Sequence, residues 1–468
     1  MLGKLLYQFK GVVKKLLPTF LISGYHLGLA FLAALVYRFP GKKIKVMGVT
    51  GTNGKSTVVE MLSRIFEEAG FKVASLSSIR FRILGREEVN DKRMTMPGRS
   101  FVQGFLRRAK DQGCSQVILE VTSEGIKQHR HEFIDFDTAV FTNLSPEHIE
   151  SHGSFEKYRQ EKGKLFRATK NIHVLNLDDD NLDFFWRFPA KEKWGYCLKN
   201  PNSPSTPSSG PRGKVQIPNK FQSTNSKFQT IKADNVEILA DGSKFTVGSS
   251  EFKLNLLGEF NICNALAAIA AAQSQGIGLE TCKKALEKME GMPGRMEEVI
   301  REPFRVLVDY AFTPNAIQKV YETISQTIKS PDPNSKMICV LGSCGGGRDK
   351  WKRPVLGGIA AKYCQEIILT NEDPYDENPQ EIIDQVAKGV ESISINQLNQ
   401  HKSVVYKIID RREAIAKALN LAKDGDTAII TGKGCEPSIC LADGKQIPWD
   451  DRQVVREEFQ KLQKTSGH

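Results

Sequence analysis

The stretch KIKVMGVTGTNGKSTVVEMLSRIFEEAG, residues 43–70, decides the fold. Lys43 to Gly48 is a short, mostly apolar run that reads as a buried parallel strand, and from Val58 to Ala69 the residues Val58, Met61, Leu62, Ile65 and Phe66 recur at helical spacing. Between them stands Thr50-Gly51-Thr52-Asn53-Gly54-Lys55-Ser56-Thr57. Strand, glycine-rich turn and helix in that order make a phosphate loop. Glycines let backbone N–H groups approach phosphate oxygens, the helix N-terminus faces the anion, Lys55 reaches the β- and γ-phosphates, and Ser56 offers a hydroxyl to Mg²⁺. Gly51, Thr52, Asn53, Gly54, Lys55, Ser56 and Thr57 are therefore read as ATP-binding, although the strict G-x-x-x-x-G-K-[ST] spacing fails at Val49.

Around that loop, 468 residues predict two or three domains able to fold without disulfide or metal staples. With 40% hydrophobic residues, 38 Gly and 20 Pro, the chain is not collagenous, coiled-coil or wholly disordered. Its 9 cysteines include no C-x-x-C pair and read as reduced thiols of a cytosolic protein. The formal charge is +12, but no homeodomain, zinc-finger or RNP-type signature accompanies it and the cations are not blocked into one tail. No nucleic-acid partner is read; the surplus suits phosphorylated ligands or anionic lipid.

The most apolar stretch runs from Leu16 to Phe39, with Lys4, Lys10, Lys14 and Lys15 before it and Arg38, Lys42 and Lys43 at its end. About 20 apolar residues cross a bilayer, but Pro18, Ser23, Gly24, His26 and Gly28 interrupt this one, and no small-x-small cleavage site follows it. Three readings stay open: a helix on the membrane surface with its lysines toward anionic lipid, a helix packed on the protein, or a true span.

Further along, Val117 to Glu120 is another buried strand ending in a carboxylate, followed by Val121-Thr122-Ser123-Glu124-Gly125 and Gln128-His129-Arg130. Then come Phe141-Thr142-Asn143-Leu144-Ser145-Pro146-Glu147-His148 and the Tyr158 to Phe166 run YRQEKGKLF. Later in the chain stand Gly258-Glu259-Phe260-Asn261-Ile262-Cys263-Asn264, Gly294-Arg295-Met296-Glu297, Val308-Asp309-Tyr310-Ala311, Gly345-Gly346-Gly347-Arg348-Asp349-Lys350 and Gly432-Lys433-Gly434-Cys435-Glu436. With VTGTNGKST, this ordered series resembles the Mur ligase family, nearest its tripeptide-synthetase (MurE) branch.

After a short apolar and basic helical segment over residues 1–42, read from its own composition, that resemblance implies a central P-loop ATPase domain with a parallel sheet over 43–297 and a C-terminal Rossmann-like α/β domain over 298–468. It implies ATP-dependent amide formation in peptidoglycan stem-peptide synthesis by a cytoplasmic monomer. A muramoyl-peptide carboxylate, UDP- or lipid-linked, takes the γ-phosphoryl group of ATP, and the amine of an amino acid displaces phosphate from the acyl phosphate. Ser56 and Glu120 would hold one Mg²⁺, and His148 a second together with a CO₂-derived carbamate on Lys162, for which Lys164 competes. Asn261 and Asn264 would flank the adenine, Asp309 would meet the ribose, and Arg295 would reach the γ-phosphate on domain closure. Lys55, His148, Lys162 and Arg295 form the implied catalytic set. His152 reads as structural or substrate-side. Thr95, Thr122, Ser123 and Arg130 would contact the peptide.

The C-terminal third alternates helical stretches with strands at Arg305 to Asp309, Met337 to Leu341, Glu366 to Leu369 and Ala428 to Thr431, the pattern of a mostly parallel sheet. By the resemblance, Arg348 meets the carboxylate of the incoming amino acid, a task that suits guanidinium geometry, while Gly432 and Glu436 lie on its amine side. Diaminopimelate-adding members carry D-N-P-R where this chain has Glu372-Asp373-Pro374-Tyr375. Losing that arginine at Tyr375 and gaining an acid at Asp373 favours a side chain ending in an amine, such as L-lysine, over diaminopimelate. Phe312 and Cys435 stand where histidines are usual.

The segment before the first strand is too short for the UDP-binding domain usual in this branch, so a membrane-proximal or lipid-linked acceptor is expected. Lys199 to Phe228, rich in Pro, Ser and Asn, reads as a flexible surface loop ahead of short strands at Val236 to Leu239 and Lys244 to Val247. The alternatives are a folylpolyglutamate synthetase-like or lipid II amidotransferase-like ligase, or a non-catalytic, membrane-associated nucleotide-binding scaffold.

Overall fold

The computed structural model describes residues 19–92, 94–198, 227–327, 334–395 and 403–466. Lys4, Lys10, Lys14, Lys15 and most of the loop expected from Lys199 to Phe228 lie outside them. The stretch that opened the reading forms strand β1 (Lys45–Thr50) and the helix Lys55–Glu68. Its neighbours are β2 (Val73–Leu76), β3 (Arg80–Ile83), β4 (Arg86–Val89), β5 (Gln116–Glu120), β6 (Phe136–Phe141), β7 (Ile172–Asn176), β8 (Glu192–Cys197) and β9 (Lys227–Lys232).

These make one sheet in the order β4-β3-β2-β5-β1-β6-β7-β8-β9, parallel from β2 to β9 with β3 and β4 as an antiparallel edge. Val46, Met47 and Val49 on β1 are fully buried because helices cover both faces, which is why such strands read as continuous apolar runs. Lys55–Glu68 packs with Glu259–Gln273 on one face, where Ala265, Ala267, Ala268, Ala270, Ala271 and Ala272 allow close approach. Arg99–Asp111 and Phe155–Ala168 cover the other face through Val102, Phe105, Leu106, Leu165 and Phe166.

An antiparallel sheet of β10 (Asp234–Leu239), β11 (Gly242–Val247) and β12 (Ser250–Leu254) follows. Two of its strands were legible in sequence. The third, Ser250-Glu251-Phe252-Lys253-Leu254, alternates buried and exposed residues and is the half-buried edge that the reading missed.

The second large sheet holds β13 (Glu297–Ile300), β14 (Arg305–Asp309), β15 (Met337–Leu341), β16 (Glu366–Leu369), β17 (Val404–Lys407) and β18 (Thr427–Thr431), in the order β13-β14-β18-β15-β16-β17. Only β13 runs antiparallel. The four buried strands were expected. The edge strands β13 and β17 carry half-buried or exposed residues throughout and gave no apolar run to read.

The helix Thr19–Val36 lies against Arg99–Asp111. Ala30, Ala33 and Ala34 form its inner face, Ser23 hydrogen-bonds His129 Nε2 at 2.8 Å, and Arg99 donates to His26 Nδ1 at 2.8 Å. The helix is thus packed on the protein, one of the three readings, yet Leu21, Tyr25, Leu32, Leu35 and Val36 form an exposed apolar stripe on its outer side. Among the described residues, no helix is long and apolar enough to cross a membrane.

Candidate active site

The phosphate loop sits at the C-terminal end of β1, between β5 and β6. Gly51 and Gly54 have φ of 152° and 82°, and a Cβ would lie 1.9 Å from Thr142 Oγ1 at the first and 2.2 Å from Asn264 Oδ1 at the second. Both conformation and space therefore require glycine. The segment after β6 holds the loop in place. Thr52 N–H donates to Asn143 O at 2.8 Å, Asn53 N–H to Asn143 Oδ1 at 3.0 Å, and the Thr142 hydroxyl to Asn53 O at 2.7 Å. Thr57 is buried on the first turn of the helix.

Lys55 and Ser56, the first helical residues, meet Glu120 at the end of β5. Ser56 Oγ donates to Glu120 Oε2 at 2.8 Å, Ser78 N–H donates to the same oxygen at 2.9 Å, and Lys55 Nζ is 3.8 Å from Oε1. Burial holds the Lys55 ammonium below its ordinary pKa, with Glu120 pulling upward and Arg295 downward. Hydroxyl and carboxylate side by side at a phosphate loop are hard oxygen donors that fit Mg²⁺.

Lys162 is only 2% exposed, donates to Gly51 O at 2.8 Å, and places its Nζ 4.8 Å from the Tyr158 ring centroid. Burial and the nearby Lys55 hold it well below the usual lysine range despite Glu120. Its competitor Lys164 instead pairs with Glu161 at 2.7 Å near the surface. The His148 ring lies 6.0 Å from the Tyr158 ring, and burial with Arg348, Lys162, Lys352 and Lys55 nearby keeps its imidazole neutral. Among the described residues, no three His, Cys, Asp or Glu side chains gather as a metal site by themselves.

Arg295 lies over the Tyr310 ring at 4.2 Å and interacts with both Lys55 and Asp309. Asp309, Asn261 and Asn264 also have partners within the protein. The Asp309 carboxylate accepts Met296 N–H at 2.7 Å and Ala311 N–H at 2.6 Å, so it braces the hinge as well as facing Arg295. Asn264 Nδ2 donates to Asn261 Oδ1 at 3.1 Å and Asn261 Nδ2 to Leu257 O at 2.8 Å, so the two amides bond one another. Asn264 Oδ1 lies against Gly54, which puts that residue beside the phosphate loop.

On the acceptor side, Arg130 donates to Met96 O and to Gln128 Oε1, beside half-buried Thr95. Thr122 Oγ1 accepts Gly125 N–H at 3.1 Å as a helix cap, and Ser123 Oγ is 3.1 Å from His152 Nε2. Ser123 and His152 therefore engage each other.

Across the interface, no carboxylate of the described residues lies within ion-pair distance of Arg348. The acid gained at Asp373 is paired within the protein: Lys433 Nζ contacts both its oxygens at 3.0 and 2.9 Å, and Cys440 N–H donates to Oδ1 at 2.7 Å. Lys433 also pairs with Glu436, whose Oε1 accepts the Tyr310 hydroxyl at 2.7 Å. Tyr375, at φ 51°, lays its ring against Gly346. Gly432, at φ 106°, borders Glu372, a buried acid pushed up to about 7 by burial with one unpartnered oxygen. Phe312 packs its ring 4.9 Å from Lys352 Nζ.

Sequence reading missed Ser78, Glu372 and Lys433 as members of this cluster. It also missed a set of cross-domain contacts. Asp349 accepts Ile149 N–H at 3.2 Å and Glu150 N–H at 2.9 Å, and Lys352 Nζ donates to Glu147 Oε1 at 3.0 Å. The adjacency of Asp349 to Arg348 and of Glu147 to His148 was the available signal.

Two family models match the chain: the Mur ligase middle domain over residues 49–272, and the Mur ligase, glutamate ligase domain over residues 294–434. A UDP-N-acetylmuramyl-tripeptide synthetase of Roseiflexus sp. (strain RS-1) is 32% identical over 464 residues, covering 95% of this chain and 84% of that protein. The UDP-N-acetylmuramoyl-L-alanyl-D-glutamate--2,6-diaminopimelate ligase of Syntrophomonas wolfei is 34% identical over 438 residues, covering 92% and 81%. A solved structure of a ligase of that same activity superposes with a TM-score of 0.55 at 27% identity, covering 90% of this chain and 79% of that one.

Gly54→Ala tests the loop geometry. The added methyl would meet Asn264 Oδ1 and force a residue with a Cβ to hold φ 82°. Binding of an ATP analogue, measured by calorimetry, should weaken by about tenfold or more, and unchanged affinity would show that the phosphate loop is not held as described.

Proposed function

The chain belongs to the Mur ligase family, and we propose that it joins a diamino acid to the free carboxylate of a muramoyl peptide. It is an ATP-dependent ligase that forms an amide bond. Residues 43–297 bind ATP in this reading and residues 298–468 bind the amino acid. The observation that carries it is the convergence of Lys55, Ser56, Glu120, His148 and Lys162 at one set of strand ends, with Arg295 from the turn before β13 and Arg348 from the loop after β15 facing them.

A carboxylate is a poor electrophile at neutral pH, and bringing it to ATP sets like charges together, so cations must gather where the phosphoryl group moves. Lys55 and Arg295 supply them from opposite sides. Mg²⁺ held by Ser56 and Glu120, and a second held by His148 and modified Lys162, would neutralise charge on the β- and γ-phosphates. Arg130 and Thr95 orient the acceptor peptide, Arg348 takes the amino-acid carboxylate, and Glu436, fixed by Tyr310 and Lys433, faces the amine.

The muramoyl assignment rests on relatives above 30% identity along nearly the whole chain, which favours it over the folylpolyglutamate and amidotransferase readings. Buried Lys162 and neutral His148 favour catalysis over a scaffold, which needs neither. The test is phosphate release from ATP with a muramoyl-L-alanyl-D-glutamate acceptor across a panel of amino acids. L-Lysine is expected above diaminopimelate, and Tyr375→Arg should shift kcat/KM toward diaminopimelate by about tenfold or more. If no amino acid stimulates release, the ligase reading fails; if Tyr375→Arg leaves the ratio unchanged, residue 375 does not read the distal group.

A lysine must be neutral to attack CO₂, and Lys162 is held toward that form. Its nitrogen bonds to the carbon, loses a proton and becomes an anionic carbamate, a ligand in place of a cation. ¹³C NMR of protein equilibrated with labelled bicarbonate should show a carbamate signal that Lys162→Ala lacks. Identical spectra would remove the carbamate from the mechanism.

The exposed stripe of Thr19–Val36 points to a second partner, an anionic bilayer at the inner face of the membrane. Exposed Lys42 and Lys43 lie at the end of the helix, and its inner side is pinned to Arg99 and His129, close to Arg130. A surface helix with an apolar face and basic flanks binds such a bilayer and would bring the acceptor site to a lipid-linked muramoyl peptide. The full chain should sediment with phosphatidylglycerol vesicles and lose this with Leu32→Asp and Leu35→Asp. Equal recovery with neutral vesicles, or a dimer instead of a monomer by light scattering, would replace the bilayer by another partner.

A further inference from the structure

The residues that follow Arg348 reach across to the residues that flank His148. Asp349, only 2% exposed, accepts the Ile149 and Glu150 N–H groups, the first free donors of the turn that begins at His148. The Lys350 N–H donates to Glu150 Oε1 at 2.7 Å. Lys352 pairs with Glu147 at 3.0 Å, with side chains 3% and 4% exposed. Glu147, Ile149 and Glu150, on either side of the candidate metal histidine, are thus held by Asp349, Lys350 and Lys352 from the loop and helix that follow β15, none of which touches Lys55, Ser56 or Glu120 in the described contacts.

His148 needs that support. Its φ of 57° and ψ of 27° lie in the left-handed region, which a residue with a Cβ keeps only where its surroundings hold it. Its side chain does not cap the turn it begins, and that turn spans only Ile149–His152 before Gly153 ends it. Asp349 supplies the cap from outside, through charge-assisted hydrogen bonds away from water.

We propose that Asp349 is a positioning residue that couples the amino-acid side of the site to His148. Resting on the ligase reading, the inference is that the geometry of His148 is complete only when the loop carrying Arg348 is docked. Arg348 and Asp349 are adjacent, so an amino-acid carboxylate held on the first steadies the backbone that carries the second. Binding of the nucleophile would thereby favour the arrangement in which ATP is used, and ATP turnover without an amino acid would be slow.

Amide hydrogen exchange on the full chain tests the contact independently of the chemistry. Asp349→Ala should accelerate exchange at Ile149 and Glu150 about tenfold, with Asp349→Asn in between. Unchanged exchange overturns the proposal even if the protein is an active ligase, whereas a chain with no ligase activity but faster exchange loses the ligase reading and keeps the contact. In phosphate-release kinetics, Asp349→Asn should lower kcat by about tenfold or more and raise the Mg²⁺ concentration for half-activation, with KM for the amino acid changed less than about threefold. A rise in amino-acid KM with unchanged Mg²⁺ dependence would make Asp349 a support for Arg348 alone and overturn the coupling. Asp349→Asn keeps the shape of the side chain, so it serves if Asp349→Ala does not fold.

Discussion

The carboxylate of Glu120 is the anion around which the site is organised. It accepts the Ser56 hydroxyl and the Ser78 amide through one oxygen and faces Lys55 through the other, at 2% exposure. Lys55 and Lys162 both lie in its field, but that attraction does not offset the cost of their burial. Burial therefore drives Lys55 and Lys162 away from their charged forms and keeps His148 neutral. A buried cation is costly without a partner and becomes favourable when an anion arrives.

This arrangement needs two rigid platforms. The first sheet presents the phosphate loop, Glu120 and the segment after β6 at adjacent strand ends, where the order β5-β1-β6 brings them together. The second sheet presents Asp309, the Arg348 loop, Glu372 and Gly432 at the ends of β14, β15, β16 and β18. It is stiffened by the Arg411–Asp451 pair, with side chains 1% and 0% exposed, and by Arg411 donating to Thr431 O at 2.8 Å. Among the described residues, polar ties between the platforms near the chemistry run through Asp349, Lys350 and Lys352.

Elements with a strong local signal were legible in the sequence. β1, β5, β14, β15, β16 and β18 are buried on both faces and read as apolar runs, while β13 and β17 lie at the sheet edge and have no such pattern. The phosphate loop was legible because Gly51 and Gly54 are required by conformation and space alike. Ser78 was not, because a serine after a strand has no distinguishing neighbour in the chain and is defined only by Glu120, 42 residues away. The pairing of Asp373 was hidden for a related reason. Its partner Lys433 is 60 residues distant, and an unpaired reading of charges assigned to a substrate a carboxylate that the protein itself neutralises.

By itself the sequence determined the buried strands β1, β5, β14, β15, β16 and β18, the phosphate loop with its helix, and the series of motifs that places the chain in its family. These depend on local periodicity and on residue types that few other structures tolerate. The tertiary structure decided which charges are paired, which stand free, and which face of the Thr19–Val36 helix is covered. The reason is physical. Burial and ion pairing depend on the distance between residues far apart in the chain, and that distance does not exist until the two sheets have formed and met.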